Sequence, residues 1–333
     1  MTTPTPRPDT IDKLASAVYP SFAMLAGMQL DLFTPLKDGP MTAQQLAEAL
    51  KVNPAKLRPL LYALVAAGLL TVKDDLFSNT PETDHFLVRG RPAYRGGRHE
   101  RLLPQWNGVL KTAETIRTGT PQAKLDFSAM PEAELESFYR GEHSQAVAAG
   151  RDLMARYDFS SCRSLLDVAG GSGAVAIAVA EACPHIRATV VDLPTVTPIT
   201  QRYTQESGAA HRVQVMTADV VKGPLTGSFD VAVMKSFIQV LSPDQARNAI
   251  WNVSQVMKPG AMIYILGTIL DNSRLAPPEI VVLNINFLNI YDEGQAYTEQ
   301  EYRDWLAAAG FTEGFERVTL PNGSGIIRVR KPK

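Results

Sequence analysis

The stretch that most constrains this chain is Leu165-Leu166-Asp167-Val168-Ala169-Gly170-Gly171-Ser172-Gly173. Ser164 to Val168 is an apolar run that reads as a buried strand, and Ala174 to Ala180 reads as a helix. Strand, glycine-rich turn and helix make the first half of a nucleotide-binding βαβ unit. Glycines let the backbone turn sharply and let a ligand lie against it with no Cβ between. The turn alone does not name the ligand.

Three acids narrow the choice. Asp167 ends the first strand, Asp192 ends the next apolar run, Ala188 to Val191, and Asp219 follows a third, Val213 to Met216. A single Asp there caps a helix or turn often enough. Three at successive strand ends lie on the edge where open α/β sheets bind ligands. Gly171-Ser172-Gly173-Ala174-Val175-Ala176 also fits the dinucleotide pattern, and Asp192 suits a ribose diol. A dinucleotide, however, places a pyrophosphate at the helix N-terminus, where Asp167 repels it. S-adenosylmethionine carries an ammonium and a sulfonium, which a carboxylate attracts. It fits better.

Bulk properties exclude several classes. At 333 residues there is room for two domains. A net charge of −1 argues against a general nucleic-acid binder. Cys162 and Cys183 show no metal-ligand spacing, so no metal is expected and a reduced, cytoplasmic protein is the simplest reading. Met1 to Pro8 reads as a tail, not a signal peptide. No apolar run reaches the length of a membrane span.

Residues 11 to 36 carry apolar positions at helical spacing. Thr42-Ala43-Gln44-Gln45 opens a second helix as a capping box, and Asn53-Pro54 caps a third, Ala55 to Ala67. Leu69 to Val72 and Leu76 to Asn79 form a hairpin around Lys73-Asp74-Asp75. This is the order of a winged helix. The third helix offers only Lys56 and Arg58 on an otherwise apolar surface, so it is read as made for burial against a second subunit rather than for a DNA groove.

Residues 81 to 160 read as mostly helical connectors, Arg98 to Arg117 and Pro131 to Tyr157, around a turn-rich break. Strands and helices then alternate as in a doubly wound sheet, with a fourth strand at Phe229 to Met234. The helix Pro243 to Met257 is ended by Lys258-Pro259-Gly260, and a fifth strand runs from Ala261 to Leu266. Pro278 to Tyr291 is a long apolar helix set with Asn284, Asn286 and Asn289. Thr298 opens a further capped helix, and Thr312 to Leu320 with Ile326 to Val329 reads as an antiparallel hairpin. The fold class is α/β: a doubly wound, Rossmann-like methyltransferase sheet behind a mostly helical winged-helix domain. The expected division is 1–97 for dimerisation, 98–160 as helical connector and pocket wall, and 161–333 for cofactor binding.

With these pieces the chain resembles the S-adenosylmethionine-dependent O-methyltransferases that carry an N-terminal winged-helix dimerisation domain. The likeness runs from about Ile11 to Val329 and is specific at Leu166 to Gly173, Val190-Val191-Asp192-Leu193-Pro194, Ala218-Asp219-Val220, Val233-Met234-Lys235 and Met257 to Gly260. It implies a homodimer with a small-molecule acceptor. It also implies that Gly170, Gly171 and Gly173 line the cofactor, with Asp167 beside them. Asp192 and Leu193 hold its ribose, Asp219 and Val220 its adenine, and Lys235 a further contact. Ala169 departs from the family's usual glycine.

A second departure concerns the chemistry. The family's histidine base stands four residues past the lysine, where this chain has Gln239. The acidic residue expected before Thr298 is absent from Gly294-Gln295-Ala296-Tyr297. A glutamine amide does not accept a proton at physiological pH. Base assistance contributes roughly 10²–10⁴-fold, so its loss handicaps a hydroxyl acceptor. A thioether has no proton to lose and needs only in-line positioning. The expected reaction is S-methylation, with Gln239 orienting the acceptor. In its overall look, including Phe287 to Gln300, the chain is similar to bacterial methylthiohydroxybutyrate S-methyltransferases of dimethylsulfoniopropionate synthesis. Tyr139, Arg140, His143, Asn286, Asn289 and Tyr291 are the candidate acceptor contacts, with Arg151 and Tyr297 as further candidates. Three rivals stand beside this reading: a phenol, enol or carbon acceptor using His143, Glu142 or a tyrosine as base; an NAD-dependent oxidoreductase; and a cofactor-binding regulator without catalysis.

Overall fold

The computed structural model describes residues 6–333, so most of the tail read at Met1 to Pro8 lies outside the described residues. The chain packs as two compact units, Met1–Pro104 and Gln105–Lys333. The stretch 98–160, expected as a connector of its own, is divided between them.

In the first unit α1 (Asp9–Ser16) and α2 (Val18–Gln29) replace the single helical run expected over 11–36. Asp31 takes a left-handed φ of 52° and turns the chain, so that Leu32, Phe33 and Leu36 are buried beyond the helix. The strand β1 (Met41–Thr42) leads into α3 (Ala43–Leu50), whose capping box forms with both bonds: Gln45 N donates to Thr42 Oγ1 and Thr42 N to Gln45 Oε1. Asn53 Oδ1 accepts from Ala55 and Lys56 N and starts α4 (Pro54–Ala66). β2 (Leu70–Lys73) and β3 (Leu76–Asn79) form the expected hairpin in a small antiparallel sheet of order β1-β3-β2, and α5 (Pro81–Phe86) follows. On α4 the Arg58 guanidinium is engaged by Asp75, at 3.0 and 3.2 Å from its two oxygens.

The helix α6 (His99–Val109) carries the chain across the boundary, and α7 (Thr112–Thr118) begins after a two-residue break in what read as one helix. The long α8 (Glu132–Arg156) then leads to the sheet. Its elements are β4 (Ser164–Val168), α9 (Ala174–Ala182), β5 (Arg187–Asp192), α10 (Thr197–Glu206), β6 (Val213–Thr217), β7 (Phe229–Lys235), α11 (Pro243–Gln255) and β8 (Met257–Gly267). After β9 (Ile269–Leu270) come α12 (Pro278–Ile290), β10 (Tyr297–Thr298) and α13 (Glu299–Ala308). The closing hairpin is β11 (Glu313–Thr319) and β12 (Gly325–Arg330).

The seven-stranded sheet has the order β11-β12-β8-β7-β4-β5-β6, parallel from β8 to β6, with the final hairpin antiparallel on β8. The chain runs outward from β4 through β5 and β6, then returns to β7 on β4's other side. That reversal opens the ligand crevice at the carboxyl end of β4. Leu165, Leu166 and Val168 are buried, as a central parallel strand covered on both faces requires. Gly150 of α8 sets the close crossing with α9, since a Cβ there would stand 2.9 Å from Ala178 Cβ.

Lys258-Pro259-Gly260 lies inside β8 rather than ending the preceding helix; the β7–β8 register shifts between Phe229 and Val231, and Gly260 absorbs the irregularity at φ 76°. A two-stranded parallel pair, β9 with β10, was not legible at all. No helix among the described residues is long and apolar enough to cross a membrane.

Asn289 ties α12 to α7. Thr115 Oγ1 donates to its Oδ1 at 2.7 Å, and its Nδ2 donates to Thr112 Oγ1 and to Ile285 O, both at 2.8 Å. The side chain is fully buried. Asn289→Ala would strand these partners and cost about 1–3 kcal/mol. The melting temperature should fall by several degrees while affinity for S-adenosylmethionine stays within about twofold. A variant that melts like wild type would remove Asn289 from this role.

Candidate active site

The glycine turn is held from several sides. Ala169, Gly171 and Gly173 have positive φ of 51°, 58° and 71°. At Gly171 the absent side chain makes room for the Tyr139 ring, which a Cβ would strike. At Gly170 a Cβ would lie 2.7 Å from Asp167 Cγ. Asp192 Oδ2 accepts from Gly171 N at 2.8 Å, and Thr200 Oγ1 donates to Gly171 O at 2.5 Å. His143 Nδ1 is 2.8 Å from Ser172 Oγ, and its ring lies 4.4 Å from that of Tyr203. Tyr139 and His143 are four residues apart on α8, so one helix face delivers both.

Two carboxylates sit in this crevice at a cost. Asp167 is fully buried; its Oδ2 accepts from Ala176 N at 3.0 Å, while Oδ1 has no hydrogen-bond partner. Burial pushes its carboxyl up to about 7; the Ala176 N–H and the Lys235 charge pull it down, and Asp192 pushes it up. Asp192 is pushed up to about 6 by burial, tempered by the N–H groups of Gly171 and Leu193. An orphaned, buried carboxylate oxygen beside a turn without side chains fits a cationic ligand, which would hold Asp167 ionised.

The other predicted residues divide sharply. Lys235 ends β7, with Nζ 3.4 Å from Ser236 Oγ. Leu193 is half-buried against the cluster of Leu135, Val196 and Ile199, as is Tyr139. Asp219 Oδ1 closes its own turn by accepting from Val221 N at 3.0 Å, and Oδ2 pairs with Lys222 at 3.0 Å. Val220 is buried in the core on one face of the sheet. Gln239 lies in a 3-10 turn, Ile238–Val240, and is 7% exposed. Gly294 separates its backbone carbonyl from Tyr291, both of which a Cβ at 294 would strike. Burial, and after it the charge of Asp192, drives the Tyr139 phenol far above the ordinary range, which favours its protonated form. Burial lowers the His143 pKa, keeping the ring neutral.

Asn286 is buried, and its Oδ1 has no hydrogen-bond partner. Asn289, expected as an acceptor contact, is committed to α7 instead. Tyr297 is also corrected: it is buried, donates to Leu241 O at 2.5 Å and packs on Trp305. Arg151 pairs with Glu181 at the surface, and Arg140 is exposed on α8. Thr200 and Ser172 were missed. Thr200 follows no motif, and the bond from Ser172 to α8 leaves no trace in the local pattern. Among the described residues no cluster of side chains could hold a metal ion.

Ala169 carries a left-handed φ that costs an L-residue roughly 1–2 kcal/mol. Ala169→Gly relieves it, less the added freedom of the unfolded chain. The net gain should raise the melting temperature by about 2 °C. An unchanged or lower value would show that the turn does not strain alanine.

Comparison with known proteins agrees with this geometry. The O-methyltransferase domain is matched over residues 118–312 and the O-methyltransferase dimerisation domain over residues 13–89. The tetracenomycin polyketide synthesis 8-O-methyltransferase of Streptomyces glaucescens is 30% identical over 98% of this chain and 97% of its own. The 3-hydroxy-5-methyl-1-naphthoate 3-O-methyltransferase of Streptomyces sahachiroi is 28% identical over 96% and 94%. Human N-acetylserotonin methyltransferase, solved with S-adenosylmethionine, superposes with a TM-score of 0.83 at 20% identity, each chain covered to 100%. The chain thus belongs to the O-methyltransferase family with an N-terminal dimerisation domain and is an S-adenosylmethionine-dependent methyltransferase.

Proposed function

We propose that this enzyme methylates sulfur in a small thioether acid, 4-methylthio-2-hydroxybutyrate being the representative, without base catalysis. The observation that carries the reading is Gln239, a buried amide where the family places its histidine base. Bound S-adenosylmethionine supplies an electrophilic methyl, which the thioether lone pair takes to give a new sulfonium and S-adenosylhomocysteine, with no proton released. Asp167 binds the cofactor's ammonium, and Gly170, Gly171 and Gly173 let it lie on the main chain. Asp192 and Leu193 hold the ribose. Asp219 and Val220 border the adenine, and Lys235 keeps Asp167 ionised. Gln239 orients the acceptor, the rings of Tyr139 and Tyr291 face the positive charge, and Asn286 accepts from the acceptor's hydroxyl. His143 completes the acceptor wall from α8, and the exposed Arg140 lies off that face.

The first unit takes the winged-helix form for homodimerisation. Ile11, Leu14, Val18, Tyr19 and Phe22 expose apolar surface on α1 and α2, which supports a second copy as the partner. With Arg58 engaged by Asp75, the third helix offers little to DNA phosphates.

A second reading keeps hydroxyl acceptors, since the compared Streptomyces relatives are named for them. A screen of thioether, thiol and phenol acceptors, read by S-adenosylhomocysteine release, decides between the two. A thioether should be preferred, and its kcat should show no basic limb as pH rises; a preferred phenol with such a limb overturns the sulfur reading.

Cofactor binding should depend on pH through Asp167. Its folded carboxyl, at about 7, lies above its ordinary value, so part of the free enzyme is protonated near neutrality. A cation needs the ionised form, so the Kd for S-adenosylmethionine should weaken up to about tenfold per unit as pH falls below 7. Asp167→Asn should bind weakly, and the slope it keeps should begin only near pH 6, where Asp192 takes up its proton. A flat profile in the wild type would remove Asp167 from the cation's side.

A further inference from the structure

Gly267 closes β8 directly beside Gln239. A Cβ built there would stand 2.8 Å from Gln239 Oε1 and 3.7 Å from its Cδ, with Ser236 Cα at 3.8 Å. The approach is therefore to the amide itself. The backbone at 267 does not demand glycine, since the residue is not among those with positive φ. Nothing in the sheet register requires glycine either: Gly267 pairs with Gly325 across β12 in an ordinary antiparallel step. The one thing the missing side chain provides is space for the Gln239 head group.

The rest of the Gln239 turn is fixed independently. Tyr297 Oη donates to Leu241 O at 2.5 Å, anchoring the residue after the 3-10 turn. Gly294 lies against the Gln239 carbonyl, so the backbone sits between a hydrogen bond and a close packing contact. Ser236, with φ 54°, redirects the chain out of β7, and its N donates to Leu266 O at 2.7 Å. With the main chain held, the side chain's direction depends on what stands opposite its amide, and that is Gly267.

We propose that Gly267 is a specificity-determining position: its bare Cα seats the Gln239 amide against the end of β8 and so sets the room and polarity offered to the methyl acceptor. This rests on the reading of Gln239 as the acceptor-orienting group. A methyl group at 267 meets Ser236 only at ordinary contact distance but drives the Gln239 amide off its seat. Shortening residue 239 by one methylene withdraws the amide from that methyl. The two positions act as a unit, so their effects on the acceptor will not add.

The test compares Gly267→Ala, Gln239→Asn and the double variant, using the acceptor that the thioether, thiol and phenol panel selects. Gly267→Ala should lower kcat/KM for the acceptor at least about tenfold with KM for S-adenosylmethionine within about twofold. Adding Gln239→Asn to Gly267→Ala should restore acceptor kcat/KM at least about threefold, although Gln239→Asn alone lowers it. In 15N spectra of the full chain, the Gln239 side-chain NH2 pair, assigned by its loss in Gln239→Ala, should move in Gly267→Ala. The proposal fails if Gly267→Ala keeps acceptor kcat/KM within about twofold, or if the cofactor KM rises in step with the loss. It also fails if the double variant is no better than Gly267→Ala, or if the NH2 pair does not move. Should Gly267→Ala fold poorly, the double variant should fold better, and equal failure of both overturns the pairing. Which acceptor the panel selects decides the sulfur reading; the ratios between variants decide this one.

Discussion

Everything at the site depends on a carboxylate held out of water. Asp167 stands at the end of the central strand with one oxygen met by a single backbone N–H and the other met by nothing. A fold selected for stability alone would place an apolar residue there. The neighbours that make the arrangement tolerable are those that would also face a cationic ligand: Ala176 in the first turn of α9, the Lys235 charge and the side-chain-free glycine turn. Asp192, one strand away, is likewise desolvated and is restrained by two backbone donors. The free protein thus carries unfavourable electrostatics that a bound positive charge relieves.

In the sulfur-acceptor proposal the chemistry turns on Gln239, an amide in a position where an imidazole would titrate. An imidazole at residue 239 could take up a proton during transfer; an amide is confined to hydrogen bonding. Burial and the Asp192 charge keep the Tyr139 phenol protonated, and Tyr297 is spent on the backbone of Leu241. His143 can accept a proton in principle, but its Nδ1 is engaged with Ser172 at the glycine turn. On that proposal the site positions its acceptor without deprotonating it, which favours acceptors whose attacking atom carries no hydrogen.

How far the sequence revealed this varied with the range of the interactions. The strand, turn and helix from Ser164 to Ala182 were legible because composition alone changes from apolar to glycine to alanine-rich there. The capping boxes at Thr42 and Thr298 were legible because their bonds span three residues. Lys258-Pro259-Gly260 misled, since Pro-Gly ordinarily marks a turn and only the neighbouring strand's register makes it a bulge. The three asparagines of α12 look alike in the sequence. Asn284 accepts from Ala296 N, Asn289 bonds to threonines far away in the chain, and only Asn286 keeps a buried oxygen without a partner. Gly267 and Gly294 were invisible for the same reason, because a glycine says nothing of what fills the space beside it.

The Asn289 tie carries a mechanical consequence. Because α12 is bonded through one side chain to two successive threonines of α7, the two helices form a single rigid strut. The backbone extends that strut into the following segment, where Ala123 N and Leu125 N donate to Asn289 O and Ile290 O. Any displacement of α12 must carry α7 and the 119–125 segment with it, or break the bonds that join them. Movement of this part of the fold is therefore a cooperative displacement of α7, the 119–125 segment and α12 together rather than the swing of a single helix.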